Sequence, residues 1–355
     1  MGKSAEKQSG RNLLSVRELK KYFPVKGGWF SGKKQFLRAN DDVSFDIKEG
    51  ETFALVGESG CGKSTLGRTV LGLYRPTSGR VLYYPKEGEP VDLASLSDRR
   101  LREYRKDLQI IFQDPYSSLN PRMTVGRLIE EGAATHKYYP RGSAQMREYV
   151  LRLMDACGLQ PHMLQRYPHE FSGGQRQRVC IARALAVKPR FIVCDECVSA
   201  LDVSIQSQIL NLLTDLKERE KLTYLFISHD LSVVRHISDR VAVMYLGKII
   251  EMGTVEEIFK NPRHPYTIAL QSCAPTVGGK ARAGRRIVPQ GHMPSPVNPP
   301  SGCPFAPRCF MAQECCKRIP APVVEVEKGH TAACHFADVP TALKKRRARE
   351  RERVE

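Results

Sequence analysis

Long hydrophobic runs are missing from this sequence of 355 residues. The longest apolar stretches, such as FIVC and YLFI, have the length of a strand and fall far short of the roughly 20 residues that a membrane-spanning helix needs. The first residues, MGKSAEKQSGRN, lack the apolar segment of a secretory signal and the hydroxyl residue that a myristoylation motif has at its sixth position. The sequence therefore predicts a chain that stays in the cytosol.

An extreme composition is absent too. Hydrophobic residues make up 41% of the chain and charged residues 26%, which excludes wholesale disorder. The length favours one large domain with an appendage, or two domains. The formal net charge of +18 suits nucleic acid, an anionic membrane face or polyphosphate ligands, and does not choose among them. Part of this charge lies in the end KKRRARERERVE, which we interpret as a solvated tail.

The eleven cysteines do not predict disulfide bonds, because a cytosolic chain of this size normally keeps its thiols reduced. Five of them gather in residues 303–334. The other six are scattered, and we interpret them as small packing residues. These six are Cys61, Cys157, Cys180, Cys194, Cys197 and Cys273.

Strand-like and helical patterns alternate along the chain. Residues 13–46 read as strands around the glycine- and lysine-rich loop VKGGWFSGKK. TFALVG predicts a buried strand, KSTLGRTVLGL predicts the helix after it, and a mostly helical region then extends to about residue 167. The runs RFIVCDE, TYLFISHD and RVAVMYLGKIIEMG predict further strands. We therefore expect a mixed sheet flanked by helices, with a Pro- and Gly-rich appendage after residue 261.

The segment GESGCGKST has the spacing G-x-x-x-x-G-K-[ST] between a predicted strand and a predicted helix. Backbone N–H groups of such a loop face phosphates, Lys63 reaches the β and γ phosphates, and Ser64 binds Mg²⁺. The sequence therefore predicts an ATP site. Its candidate residues are Gly57, Ser59, Gly60, Cys61, Gly62, Lys63, Ser64 and Thr65.

Two carboxylates follow the apolar run FIVC, and a serine-glycine motif precedes it. Asp195 would hold Mg²⁺, usually through water, and Glu196 would polarise the attacking water. In FSGGQ, Ser172 is a good N-cap, and an exposed helix start with bare amides is a second anion site. Because the chain's own loop already serves its phosphates, we expect this motif to meet a nucleotide bound elsewhere. Its residues are Ser172, Gly173, Gly174 and Gln175.

The order of these motifs resembles the ATP-binding-cassette (ABC) ATPases over about residues 13–275. The P-loop, FSGGQ, CDE, SALD and ISHD follow one another as in that family. The resemblance implies an α/β P-loop nucleotide-binding domain with a RecA-like core, an antiparallel β subdomain and a helical subdomain. It also implies that two cassettes pair head to tail, so that the signature of one closes on the ATP of the other.

The resemblance assigns further residues by position. Gln113 matches the glutamine that senses Mg²⁺ and water, His229 the switch histidine at the γ-phosphate, and Asp202 the aspartate at the dimer interface. Phe23 matches the adenine-stacking aromatic, with Tyr22 as its rival. The family commonly has proline where this chain has Cys197, and we expect ATPase activity to survive that change.

Longer phrases narrow the resemblance to ATP-binding subunits of dipeptide and oligopeptide importers, in the peptide and nickel uptake group. QDPYSSLNPRMTVG and NPRHPYTIAL carry it, and the start of the chain is closer to the F-type subunit than to its D-type partner. The resemblance implies a peripheral protein at the cytoplasmic face of the inner membrane. Its partners would be a D-type ATPase subunit, two permease subunits and, through them, an extracytoplasmic binding protein, with DPYSSLNPRMT as the permease contact. It implies no nucleic acid partner.

Several alternatives stay open. The cargo could be nickel or an oligosaccharide, since the binding protein and permease choose it. The isoelectric point near 9.5 also suits a soluble ABC ATPase acting on nucleic acid or ribosomes, although such proteins usually carry two cassettes or a long coiled coil. A third reading is a nearly non-hydrolysing partner subunit. The expected domains are a flexible start at 1–11, a cassette at 12–263 with its helical subdomain at about 114–175, an extension at 264–340 and a charged tail at 341–355.

The C-terminal cysteines lack the paired C-x2-C spacing of most structural zinc sites. Four thiolates in a reducing cytosol still favour a metal over disulfides. The peptide-importer family has a similar tail, and the resemblance implies a structural [4Fe-4S] cluster held by Cys303, Cys309, Cys316 and Cys334, with Cys315 spare. Because thiolates also suit Zn²⁺, zinc and unligated cysteines stay open.

Overall fold

The computed structural model of the protein describes residues 10–25, 35–273, 287–345 and 347. Residues 26–34 of the predicted loop VKGGWFSGKK, most of the N-terminal segment and most of the charged tail lie outside the described residues. Within the described part, no helix is both long enough and apolar enough to span a bilayer. The first half of the chain forms β1 (Asn12–Val25), β2 (Gln35–Lys48), β3 (Thr52–Val56), α1 (Lys63–Val70), β4 (Ser78–Tyr83), β5 (Val91–Asp92), α2 (Asp98–Tyr104), β6 (Leu108–Ile111), α3 (Pro115–Ser118), α4 (Val125–Thr135) and α5 (Ala144–Ala156).

The second half continues with helix and strand in alternation and ends in short elements. Two short 3-10 helices, Pro161–Gln165 and Pro168–Glu170, lie between α5 and this second half, and a third, Ala306–Arg308, lies within it. Its main elements are α6 (Gly173–Leu185), β7 (Phe191–Asp195), α7 (Val203–Glu220), β8 (Thr223–Ser228), α8 (Leu231–Ile237), β9 (Arg240–Tyr245), β10 (Lys248–Thr254), α9 (Val255–Lys260), α10 (Pro265–Cys273), α11 (Glu314–Arg318), β11 (Val323–Glu327) and β12 (His330–Ala333).

The chain divides into two compact units, each made of separate stretches of sequence. The first unit comprises residues 1–13, 47–52 and 95–227. It contains the parallel strands β6, β7 and β8, in that order, and the helices α2 to α7. All five residues of β7 are buried, as expected for a central parallel strand covered on both faces.

The second unit comprises residues 14–46, 53–94 and 228–355. Strands β2, β1, β4 and β5 form a four-stranded sheet in that order. In the same unit β3 pairs with β9 in parallel, and β9, β10, β12 and β11 continue in antiparallel fashion. The buried strand β3 and the helix α1 lie where TFALVG and KSTLGRTVLGL predict them, which confirms both elements.

The structure adds elements that the pattern of residues did not predict. The run RVAVMYLGKIIEMG forms two antiparallel strands, because the chain reverses at Leu246 and Gly247, which have φ of 45° and 81°. The Pro- and Gly-rich appendage also contains strands: β12 pairs with β10 through Glu251 and Ala332. Strands β11 and β12 therefore extend the sheet of the second unit.

Candidate functional site

The phosphate loop of residues 57–65 joins β3 to α1 in the second unit. Gly62 has φ of 107°, and a Cβ there would lie 2.1 Å from the carbonyl oxygen of Ala39. Asn40 Nδ2 donates a hydrogen bond to the Gly62 carbonyl at 3.1 Å, so the neighbouring strand holds the loop closely. Both conformation and packing therefore require glycine at this position.

Lys63 is the first residue of α1 and is 4% exposed. Its Nζ donates hydrogen bonds to the carbonyl oxygens of Gly57 at 2.8 Å and Glu58 at 3.0 Å. The ammonium therefore lies within the curve of the loop, while Ser59 and Gly60 are exposed at its tip. The loop that the sequence predicts is formed, with a positive charge inside it and a helix beginning at its end.

The two predicted carboxylates lie at the carboxyl end of β7 in the first unit. Asp195 is 2% exposed, and Glu196 has a left-handed φ of 49° that turns the chain after the strand. The Glu196 N–H donates to the Ile227 carbonyl at 3.0 Å, which fixes this turn to β8. Gln113 Nε2 lies 3.1 Å from Glu196 Oε2, so the structure brings together two residues that are 83 positions apart.

Cys197 replaces the proline of the family pattern and is buried. A hydrogen bond to Cys197, together with burial, raises the pKa of the Cys194 thiol well above its ordinary value. Both thiols are buried beside the two carboxylates, in line with their predicted role as packing residues.

The serine-glycine motif begins α6 as predicted. Ser172 Oγ accepts the N–H of Gln175 at 3.4 Å, and Gln175 Oε1 accepts the N–H of Ser172 at 3.0 Å. This capping box presents Ser172 and Gly173 at an exposed helix start. Asp202, also exposed, is the N-cap residue of α7 in the same unit, whereas the exposed His229 belongs to the second unit, just before α8.

The two aromatic candidates for the adenine have different surroundings. The Phe23 ring packs edge-on against Tyr74 at 5.6 Å, with Lys21 Nζ 4.6 Å from its centroid. The Tyr22 hydroxyl donates a hydrogen bond to Asp41, and the guanidinium of Arg38 lies 5.8 Å from its ring. Because successive residues of a strand point to opposite faces, only one of them can serve a given nucleotide.

Comparison with known proteins matches two separate parts of the chain. A family profile described as ABC transporter matches residues 40–199, and one described as Oligopeptide/dipeptide transporter, C-terminal region, matches residues 250–316. The oligopeptide transport ATP-binding protein AppF of Bacillus subtilis is 51% identical over 326 residues, covering 91% of this chain and 97% of the relative. This chain belongs to the ATP-binding subunits of peptide ABC transporters.

Other proteins of this family are similar to the chain over most of its length. OppF of Escherichia coli is 48% identical over 331 residues, covering 92% of this chain and 96% of OppF. The dipeptide transport protein DppF of Haemophilus influenzae is 49% identical over 326 residues, covering 92% and 97%. The ATP-binding cassette MJ0796, solved as a dimer bound to ADP and Pi, matches with a TM-score of 0.59 and 29% identity over 68% of this chain and 98% of its own. The predicted ABC fold and family are confirmed.

Four cysteines from the C-terminal part of the chain line one small cavity in the second unit. They are Cys303, Cys309, Cys316 and Cys334. Burial raises the pKa of the Cys303 thiol to about 11 and that of Cys309 to about 12. Two of the sulfurs also accept backbone N–H groups, from Met311 at 3.3 Å and from Phe336 at 3.4 Å. Four thiols thus lie around one small space.

This cavity does not have the geometry of a formed metal site. In the part of the chain that the structure describes, no group of three or more His, Cys, Asp or Glu side chains is placed to hold one metal ion. Thiols are donors that suit a soft metal, but the four sulfurs are not arranged around one metal position. The iron–sulfur cluster therefore stays a prediction.

Sequence reasoning missed a group of residues that supports the phosphate loop from the C-terminal region. Arg308 pairs with Glu58, and the Tyr266 hydroxyl accepts the Glu58 N–H at 2.9 Å. Both side chains belong to phrases that signal the family, NPRHPYTIAL and the cysteine-rich tail. These sequence segments identified the relatives. A contact between residues more than 200 positions apart, however, cannot be predicted from a local sequence pattern.

Proposed function

We infer that the chain is the ATPase subunit that powers peptide import through an ABC transporter. The main support is its family membership: over nine tenths of its length, half of its residues are identical to those of peptide transport ATP-binding proteins. A formed phosphate loop and a paired Gln113 and Glu196 support hydrolysis of ATP in this chain. The nucleic-acid alternative has no comparable support.

We propose the following roles for the site residues. Lys63 and the amides of residues 57–65 bind the ATP phosphates, with Ser64, Gln113 and Asp195 serving Mg²⁺. Glu196 accepts the proton of the attacking water, and His229 contacts the γ-phosphate. The exposed capping box of Ser172 to Gln175 meets the ATP of the partner cassette, and Asp202 lies at the interface between the cassettes. Phe23, or its rival Tyr22, stacks on the adenine.

The test of this function is peptide-stimulated ATPase activity of the reconstituted importer. Lys63→Ala removes the ammonium inside the loop and should abolish both ATP turnover and peptide uptake. Lys86→Ala removes an exposed lysine of the same unit and should change neither. Activity that survives Lys63→Ala unchanged would assign the hydrolysis to the partner subunit, which is the non-hydrolysing reading.

We propose that the helical region at about 114–175 receives the permease. This region contains a cavity of about 630 Å³, lined among others by Met123, Thr124, Arg127 and Glu131. Met123 and Thr124 are the last two residues of the predicted contact loop DPYSSLNPRMT, and the mixed charges suit a polar partner helix. Arg127→Glu should prevent copurification with the permease, while Arg99→Glu, at another exposed position, should not.

The remaining parts of the proposal concern partners and layout. We propose a D-type ATPase subunit and two permeases as partners, at the cytoplasmic face of the membrane, with peptides as cargo rather than nickel or oligosaccharides. The cassette would extend over residues 12–263 and the cysteine-bearing extension over 264–340. Copurification of the native complex, followed by uptake assays with labelled peptides and with nickel, tests both points.

We also propose that Cys303, Cys309, Cys316 and Cys334 hold a [4Fe-4S] cluster, with zinc as the alternative. When bound, the group would cross-link the proline-rich extension, which has little apolar content of its own. Protein purified without oxygen should be brown and contain iron and labile sulfide. Cys316→Ser should lose the colour, and Cys315→Ser, outside the cavity lining, should keep it. Colourless protein with one zinc per chain would contradict the cluster.

A further inference from the structure

Glu58, the second residue of the phosphate loop, is held by residues from the far end of the chain. Nη1 of Arg308 lies 3.1 Å from Glu58 Oε1 and 2.9 Å from Oε2. The Glu58 N–H donates to the Tyr266 hydroxyl at 2.9 Å. Both the side chain and the backbone of this loop residue are therefore fixed by the C-terminal region, within one compact unit.

Arg308 is itself firmly placed. Its side chain is 10% exposed, and its Nη1 lies 3.4 Å from the Tyr245 hydroxyl. It ends the short 3-10 helix Ala306–Arg308, next to Phe305, whose ring packs against Tyr245 and Tyr266, both at 5.3 Å. Since the aromatic cluster and the helix both fix the guanidinium, its position does not depend on Glu58 alone.

The charge of Glu58 is the reason that this contact bears on nucleotide binding. The loop must receive the negative phosphates of ATP, and a carboxylate without a cation in the same loop would repel them. Lys63 already donates to the carbonyl oxygens of Gly57 and Glu58, so its ammonium is directed at the loop backbone. The Glu58 carboxylate pairs with Arg308, whose guanidinium neutralises its charge.

We propose that Arg308 is a positioning residue for ATP binding, which neutralises Glu58 and holds the phosphate loop in shape from the cysteine-rich extension. The proposal rests on the proposed role of residues 57–65 in binding phosphate. It gives this extension a function in the ATPase itself. It also predicts that damage to the segment around Arg308 weakens ATP binding before it affects the rest of the fold.

The first test measures ATP affinity of the full-length chain by titration with a fluorescent nucleotide and competition by ATP. Arg308→Gln should weaken binding by about tenfold, because Glu58 then remains as an uncompensated charge. Arg308→Lys keeps the charge and loses the forked guanidinium, so its ATP affinity should lie between those of the unchanged protein and Arg308→Gln. The matched control is Arg263→Gln: the Arg263 side chain is 14% exposed, close to the 10% of Arg308, and it pairs with Glu327 in the same region without touching the loop. It should stay within twofold of the unchanged protein.

A double-mutant cycle separates charge from general loss of structure. Glu58→Gln removes the repelling carboxylate, so the pair Arg308→Gln with Glu58→Gln should recover most of the lost affinity. Equal losses for Arg308→Gln and Arg263→Gln, or no recovery in the double variant, would overturn the proposal. Lys63→Ala serves as a separate arm: ATP binding that survives it would show that the proposed phosphate site is wrong, whatever the Arg308 variants do.

Discussion

Gln113 and Glu196 stand side by side at the carboxyl ends of two neighbouring parallel strands. Gln113 follows β6 and Glu196 follows β7, and these strands pair in register from Leu108 with Phe191 onward. The amide nitrogen of Gln113 lies 3.1 Å from Glu196 Oε2 and 3.4 Å from Ser199 Oγ. Parallel pairing thus places a neutral donor beside the carboxylate proposed as general base, where it orients the side chain without neutralising it.

Glu196→Gln should lower the ATPase turnover of the reconstituted importer by about 100-fold or more, because the amide cannot accept the proton of the attacking water. ATP binding should persist, since the phosphate loop is untouched. The measurements are phosphate release and nucleotide titration on the same preparation. Glu218→Gln, at an exposed position of α7, is the control and should change neither. A Glu196→Gln protein with normal turnover would contradict the assigned base.

Local motifs were predictable from the sequence because their chemistry is carried by neighbours in the chain. The phosphate loop needs glycine, lysine and serine at fixed spacing, and an apolar run before Asp195 indicates the buried strand. The capping box of Ser172 and Gln175 is equally local, since both partners lie within one turn. Such elements can be recognised from their own residues, because the pattern that specifies them is local.

The support of the loop by the C-terminal region was not predictable, because it depends on tertiary pairing. Arg308 contacts Glu58 across 250 positions, and the pairing of β9 with β3 and β10 helps to bring these segments into one unit. Strand β12 was missed for a similar reason: HTAA is too short and its side chains are too small to signal a strand, and it becomes one by pairing with β10.

Ser172→Ala should reduce ATPase activity more than stability. Ser172 and Ser143 are both N-caps of 13-residue helices in the same unit, and each accepts a hydrogen bond from the N–H three residues on. Loss of either cap should lower the free energy of unfolding by about 1 kcal/mol. If Ser172 contacts the partner's ATP, only Ser172→Ala should lower the turnover of the assembled importer by about tenfold or more. Thermal melts and turnover assays on both variants compare the two effects, and equal turnover would remove Ser172 from the site.

Lys221→Gly should stabilise the protein. Lys221 is the exposed C-cap of α7 and has φ of 54° and ψ of 45°, a left-handed conformation that costs a lysine about 1 kcal/mol and a glycine little. The free energy of unfolding, measured with urea, should therefore rise by about 0.5–1 kcal/mol. Glu218→Gly, three residues earlier within the helix, should lower it by a similar amount. A loss of stability with Lys221→Gly would show that the lysine side chain has a compensating contact.

Gly62→Ala should abolish ATP binding and destabilise the second unit. The new Cβ would lie 2.1 Å from the Ala39 carbonyl oxygen, a backbone atom that cannot move without disturbing β2. Gly88→Ala is the matched control, because Gly88 also has a left-handed φ, of 92°, but a Cβ there meets no atom within 4 Å. Strain alone should lower the free energy of unfolding by about 1–2 kcal/mol in Gly88→Ala, with ATP affinity unchanged. The clash should add several kcal/mol more in Gly62→Ala. If the two alanines proved equally mild in urea melts and ATP titrations, the close approach of β2 to the phosphate loop could not be what demands glycine there.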